Sequence, residues 1–385
     1  MTSPPPAGIY LHLPFCLRKC RYCDFYSEVA TAVRRTAFLA ALHQELALRA
    51  DRNLSADSLY FGGGTPSLFA PAQIGGLIDR IGASFHLSGD SEITLEANPG
   101  TVTGETLQGF RGAGVNRLNL GIQSFNDRNL VFLGRRHDAR AARRSVAAAR
   151  AAGFEDIGLD LIYGLPGQTP TAWWDDLEAA LAAAPTHLSC YMLTYAPGTP
   201  LDAARIAGRI DPLPDAAVAE LFQLTARLLT ENGFVHYEIA NFARAADPPS
   251  WSRHNRKYWN QAPYLGFGPG AHSYDGGHRR SWNRADLDAY GQALESGGLP
   301  PGGEEILTRE QQMIEAVFLG LRQIAGIDVQ KFEARFGVEF ETLFGPALVD
   351  LAEAELAVRE QKFWRLTPKG LLLADAAAAR LAACC

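Results

Sequence analysis

Apolar residues recur along the chain in short strand-like runs: "GIYLHLPF", "SLYFGGG", "EITLEANP", "RLNLGIQS", "DIGLDLIYG" and "HLSCYML". Between them the spacing becomes helical. In "RTAFLAALHQELALRA" the residues Phe38, Leu42 and Leu46 fall on one face, and the Ala-rich "DARAARRSVAAARAAGF" is ended by Gly153. Six strand-helix alternations predict an α/β chain built as a partial (β/α)6 TIM-like barrel, although a doubly wound open sheet has the same local signature. A seventh strand-like run, "GFVHYEIANFA", follows a predicted helix over Asp215 to Asn232.

Two Pro/Gly-rich stretches, 245–250 and 296–303, read as linkers or loop boundaries. They divide the chain into 1–243, the barrel; 244–303, dense in aromatic residues, histidine and glycine; and 304–385. The last part reads as helices, then "KFWRLTPKGLLLAD" as a hairpin leading into a final helix, which suggests a winged-helix-like appendage. It carries 9 Lys/Arg against 13 Asp/Glu, so DNA reading is not expected of it.

With 385 residues and 47% hydrophobic content the chain can bury a large core. The net charge of −6 gives no global attraction to nucleic acid or an anionic membrane. No window approaches the roughly 20 apolar residues of a membrane span, and no basic segment precedes an apolar run at the start. The expectation is a cytoplasmic protein that is not an integral membrane protein.

Six cysteines are too few and too clustered for a secreted disulfide framework. Three of them, Cys16, Cys20 and Cys23, lie within "LPFCLRKCRYCDFYS". Structural zinc normally closes with four protein ligands, and here one knuckle has nothing to pair with it. Iron–sulfur clusters are held by cysteine thiolates, four when fully ligated, so three would leave one iron open. Inert thiols, or zinc completed by Cys190, are the alternatives. Arg18, Lys19 and Arg21 would offset the thiolates' charge and lower their pKa values, or form an exposed basic loop.

The barrel reading draws attention to the strand ends. "GGGTPS" (Gly62 to Ser67) ends the second strand and offers close backbone approach to a ligand, or is only a turn. Glu96 ends the third strand, Gln123 ends the fourth, and Asp160 lies within the fifth. Polar groups in such apolar strands are costly unless paired, which favours ligand roles over turn capping. Arg135 in "FLGRRHD" could present its fork to a carboxylate or lie at the surface.

The ordered set "YLHLPFC…C..C", "FGGGTPS", "EANPG", "GIQSFN", "LGRRH" and "DLIYGLPGQT" resembles one branch of the radical S-adenosylmethionine (SAM) superfamily. That branch contains oxygen-independent coproporphyrinogen III oxidase and the HemW-type haem chaperones. The motifs span residues 10 to about 170, and the C-terminal appendage resembles the branch as well. The resemblance implies a radical SAM barrel in which Cys16, Cys20 and Cys23 hold a [4Fe-4S] cluster. It further implies that Tyr10, Tyr22, Gly63, Gly64, Thr65, Glu96, Gln123, Arg135 and Asp160 contact SAM.

Within the branch the oxidases resemble C-x3-C-x2-C-x-C, whereas Phe25 stands here at the fourth cysteine's position. They also carry several dozen residues ahead of the cluster strand, where this sequence has nine before Tyr10. The chaperones resemble H-N-x-x-Y-W, matched here by "HNRKYW" with His254, Asn255, Tyr258 and Trp259. The resemblance therefore implies haem as cargo and haem-requiring acceptor proteins, with membrane-bound respiratory proteins as candidates. It leaves open whether the chain is itself an enzyme. An oxidase that removes two propionate carboxyl groups is the alternative reading, and another radical SAM enzyme, such as a methyltransferase, is a third.

The residues of this segment agree. His254 is the first candidate for an axial haem ligand, with His272 in "GPGAHSY" second and His12 read as structural or near the SAM pocket. Tyr258 and Trp259 suit a porphyrin face, and Arg253, Arg256 and Lys257 suit its propionates. The alternative is an aromatic loop bracing the barrel, with His254 a satisfied hydrogen-bonding residue. Cys384 and Cys385 read as a frayed tail.

Overall fold

A computed structural model describes residues 5–29 and 31–385. Its centre is six parallel strands, β1 (Ala7–Leu13), β2 (Ser55–Gly63), β3 (His86–Ala97), β4 (Arg117–Gln123), β5 (Asp156–Tyr163) and β6 (His187–Met192). They lie side by side in sequence order. A doubly wound sheet reverses direction at a switch point, and these six strands do not. They form the partial (β/α)6 arrangement, with the sheet left open.

The helices that return the chain bury one stripe against the strands. Ala32–Leu48 buries Phe38, Leu42 and Leu46, as the spacing predicts. Full burial of each such side chain contributes about 1.5–3 kcal/mol. The helix Ala139–Ala151 starts at an Asp138 cap and stops before Gly153, whose φ of 89° suits a residue without Cβ.

The seventh strand-like run is two strands. Positions 239 and 240 turn the chain between β7 (Phe234–Glu238) and β8 (Asn241–Arg244), an antiparallel hairpin, and β8 runs antiparallel to β6. The aromatic segment contributes a helix, Arg253–Trp259, and three more strands of the main sheet: β9 (Tyr264–Phe267), β10 (His272–Tyr274) and β11 (Arg279–Asn283). β9 is parallel to β1, and β10 and β11 follow antiparallel. β12 (Gly302–Ile306) closes that edge of the twelve-stranded sheet.

The C-terminal part is helical, with Arg309–Arg322, Val329–Phe336 and Phe340–Glu353 packed on a small sheet. Its strands are β13 (Ile327–Asp328), β14 (Ala357–Glu360) and β15 (Phe363–Leu366), in the order β13-β15-β14. Helix, strand, two helices and a hairpin in succession is a winged-helix order. Cys384 and Cys385 are not a frayed tail: their N–H groups continue the last helical turn by donating to Leu381 and Ala382. Among the described residues no helix is long and apolar enough to cross a membrane.

Candidate functional site

The loop after β1 carries Cys16, Cys20 and Cys23, all partly exposed and none in a disulfide. Two neighbouring elements hold it. Thr65, just past the glycines that end β2, donates its hydroxyl to Cys16 Sγ at 3.6 Å. Arg135 Nη1 donates to Cys20 Sγ at 3.4 Å and to the Tyr22 hydroxyl at 3.4 Å. Its Nη2 donates to the Gly121 carbonyl at 2.7 Å and to Asn98 Oδ1. Asn98 Nδ2 then donates to Thr65 at 2.9 Å. The end of β3, the end of β4 and the cysteine loop are thus tied into one polar chain.

Among the described residues Arg135 meets no carboxylate, although it is not a surface arginine either. Arg18 and Arg21 donate to the carbonyls of Gly134 at 2.6 Å and Phe132 at 3.2 Å. Their role is to fasten the loop. The Cys23 thiol is not lowered: burial pushes it up to about 11, with Lys19 a small opposing influence. Cys190 lies 4% exposed in the apolar core on β6. Among the described residues no three His, Cys, Asp or Glu side chains converge on one ion-sized position.

The glycines at the end of β2, Gly62 and Gly63, and Gly64 just after it allow this closeness. A Cβ on Gly64 would lie 2.5 Å from the Phe15 carbonyl oxygen, and Gly64 N–H donates to Leu13. Gly63 has φ 103°, and a Cβ there would meet the His12 ring. Gln123, buried at the end of β4, has φ 69° beside a register shift between Gly121 and Gln123. Such a bulge re-aims a side chain at the strand end.

The interior of the strands holds two carboxyl groups. Glu96 Oε1 accepts from the Tyr60 hydroxyl at 2.7 Å, and Asp160 Oδ2 accepts from Asn119 Nδ2 at 2.7 Å. Burial raises Glu96 to about 7, helped by the charge of Asp160, while the Tyr60 bond opposes it. Burial likewise raises Asp160 to about 6 against its hydrogen bonds. Asp160 Oδ1 and Arg135 Nε are buried with no partner. Unpaired buried polar atoms occur elsewhere in the chain too, at Asn241 and Trp251 for example, but Arg135 also touches the cysteine loop, where a polar ligand could take up its free donor.

The three thiols, the unpaired Asp160 and Arg135 atoms and the close glycine backbone therefore fit a thiolate-bound cluster with a polar ligand beside it. Tyr10 lies on β1, its hydroxyl 3.1 Å from His12 Nδ1. Tyr22 packs its ring against the small apolar cluster containing Leu133 and Leu201. Sequence reasoning did not single out Asn98, Tyr60 or Asn119. Asn98 was visible inside the "EANPG" motif, and Tyr60 and Asn119 were polar groups on apolar strands.

A cavity of about 780 Å³ opens next to the cysteine loop, lined among others by Tyr10, His12, Phe25, Tyr258, His272 and Trp282. His254 lies outside it. That side chain is 1% exposed, with Nδ1 3.1 Å from the Ser58 hydroxyl and Nε2 2.9 Å from the Tyr258 hydroxyl. Burial and the Lys257 charge push it down to about 3. In this arrangement His254 has no nitrogen to offer an iron without giving up a hydrogen bond. Lys257 pairs with Asp57 at 2.6 Å, Arg253 reaches Asp90 at 3.5 Å and Arg256 lies over Trp251. The helix Arg253–Trp259 braces the strands and presents Tyr258 to the cavity.

Residues 10–180 match the Radical SAM superfamily, and residues 307–373 match the HemN C-terminal domain. The fold and the cysteine loop are those of a radical SAM protein. The chain is 36% identical over 369 residues to the haem chaperone HemW of Bacillus subtilis (strain 168), which covers 95% of this chain and 96% of that one. It is 35% identical to the mitochondrial radical S-adenosyl methionine domain-containing protein 1 of Bos taurus, over 97% of this chain and 84% of the relative. At this identity and coverage the chain belongs to the HemW family. The solved structure of coproporphyrinogen III oxidase (HemN) from Escherichia coli, a radical SAM enzyme, superposes with a TM-score of 0.83 at 26% identity, covering 98% of this chain and 90% of that one.

Proposed function

We propose that this protein is a cytoplasmic haem chaperone, which binds haem and hands it to haem-requiring proteins, membrane-bound respiratory proteins among them. Near-full-length similarity to chains named as haem chaperones supports the reading. The structural observation that carries it is Phe25. This side chain is 66% exposed and lines the large cavity, where the oxidases resemble a fourth cysteine. An aromatic wall suits a flat apolar cargo.

Cys16, Cys20 and Cys23 would hold the [4Fe-4S] cluster. Tyr10, Tyr22, Gly63, Gly64, Thr65, Glu96, Gln123, Arg135 and Asp160 would hold SAM. When bound, such a cluster supplies one-electron reduction to SAM. The chain's own contribution is positional: Arg135 and Thr65 fix the cysteine loop, and Glu96 and Asp160 present hydrogen-bonding carboxyl groups. In this reading residues 1–243 carry cluster and SAM, 244–303 supply the aromatic wall, and 304–385 form the winged-helix-like part.

The likeness to the Escherichia coli oxidase favours a second reading, oxidative decarboxylation of coproporphyrinogen III. Mass spectrometry of that substrate, incubated anaerobically with the reconstituted protein, SAM and a reductant, separates the two. The chaperone reading expects no loss of carboxyl groups. Catalytic formation of the tripropionate and dipropionate products would overturn it.

A further inference from the structure

The large cavity lies between the cysteine loop, which contributes Phe25 and Tyr26, and the antiparallel ribbon of β10 and β11, which contributes His272 and Trp282. Its volume of about 780 Å³ falls in the range of small-molecule and cofactor sites. Aromatic rings dominate two walls, which suits a planar apolar ligand. Haem asks for two further things: a neutral imidazole with a free nitrogen for the iron, and a cation near the edge that carries the propionates.

Two histidines line this cavity, and only one is available. His12 has Nδ1 at 3.1 Å from the Tyr10 hydroxyl and Nε2 at 2.8 Å from the Tyr26 carbonyl. His272 is exposed, and among the described residues neither of its ring nitrogens has a hydrogen-bond partner. Its ring stacks on Trp282 with centroids 6.0 Å apart, and the two residues are directly paired across β10 and β11. A strand pair holds the imidazole more rigidly than a loop would. Partial burial and the charge of Arg280 lower its pKa, so the neutral form dominates near pH 7. At the rim, Arg284 is mostly exposed, its nearest carboxylate partner being Asp286 at 3.7 Å. Its guanidinium is free to turn to a carboxylate.

We propose that haem binds in this cavity, with His272 as the axial ligand of the iron, Phe25 and Trp282 walling the porphyrin, and Arg284 facing a propionate. This rests on the haem-chaperone reading and moves the ligand from His254 to His272. His254 then acts as a positioning residue, holding Tyr258 against the cavity through its 2.9 Å bond.

The test is titration of haemin into the full-length, cluster-reconstituted protein. Affinity is read by quenching of tryptophan fluorescence, and ligation by the iron–histidine stretching band of the ferrous form in resonance Raman. Wild type should take one haem per chain and show the band. His272→Ala should lose the band and at least about tenfold in affinity, and added imidazole should restore ligation. His272→Met, which keeps a ligand of different chemistry, should shift the Soret band if the alanine variant fails to fold. A His272→Ala protein with wild-type band and affinity would overturn the assignment while leaving haem binding intact. Wild type that takes up no stoichiometric haem would overturn the haem reading itself, and the assignment with it.

Discussion

Arg135 reaches the sulfur of Cys20 at 3.4 Å from one guanidinium nitrogen while the other binds the Gly121 carbonyl at 2.7 Å. One side chain thus ties the cysteine loop to the end of β4. Lysine cannot replace it, because an ammonium lacks the planar fork that reaches Cys20, Tyr22, Asn98 and Gly121 together. Arg135→Lys is expected to lower SAM affinity about tenfold and to reduce iron content after reconstitution. Calorimetry and iron analysis check it.

Removal of the thiols should abolish the metal centre. The Cys16→Ala, Cys20→Ala, Cys23→Ala triple variant is expected to show no iron–sulfur absorption after anaerobic reconstitution. Cys190→Ser, buried on β6 among apolar side chains, should keep wild-type iron content. Loss of iron in Cys190→Ser alone would mean that the ligand set has been misread.

Gly64→Ala puts a methyl group 2.5 Å from the Phe15 carbonyl oxygen and 2.6 Å from its nitrogen. Backbone cannot step aside as a flexible side chain can. Overpacking of this kind costs about 1–3 kcal/mol, and the displaced segment is the one leading into Cys16. Thermal melts should show the loss of stability, and reconstitution should show reduced cluster occupancy.

Glu96 and Asp160 give the ligand-free protein a specific pH signature. Burial raises Glu96 from 4.5 to about 7, so between those values the folded chain holds a proton that the unfolded chain has released. Stability therefore falls as pH rises through this window. Asp160, raised from 3.8 to about 6, adds a slope of the same sign at lower pH. Glu96→Gln removes the first contribution, so the wild type's stability relative to the variant should fall by about 1–2 kcal/mol between pH 4.5 and 8. Denaturant titrations at several pH values measure this difference, and an unchanged difference would show that Glu96 ionises freely.

The parallel strands were legible because each is a short apolar run, and the cysteine loop because its three thiols are adjacent in sequence. Order in the sheet needed only the rule that successive strands lie side by side. Much of the wiring was not legible, because it joins residues far apart in sequence. Glu45 sits within the apolar face of the first helix at 0% exposure, yet it accepts from Arg49, Gly268, Asn283 and Tyr290. No local pattern announces a carboxylate that pins a strand over 200 residues away.

The histidines show the same limit. His254 belongs to a conspicuous motif, but the motif does not show that both its ring nitrogens already lie within hydrogen-bond distance of hydroxyl groups. Its environment depends on Ser58, on another strand, and on Tyr258, one helical turn away. His272 carries less sequence signal, but the pairing of β10 with β11 sets it against Trp282 at the cavity. The run "GFVHYEIANFA" hid a hairpin because its turn, Ile239 and Ala240, contains no glycine or proline.

The most direct test of the account is transfer of haem. Full-length protein loaded with one equivalent of haem, separated from free haem, is mixed with membranes from haem-starved cells, and membrane haem is followed as the pyridine haemochrome. The account predicts transfer to the membranes faster than from haem-loaded serum albumin, with the protein left haem-free. Haem that stays on the protein, or moves no faster than from albumin, would contradict the claim that this chain delivers it.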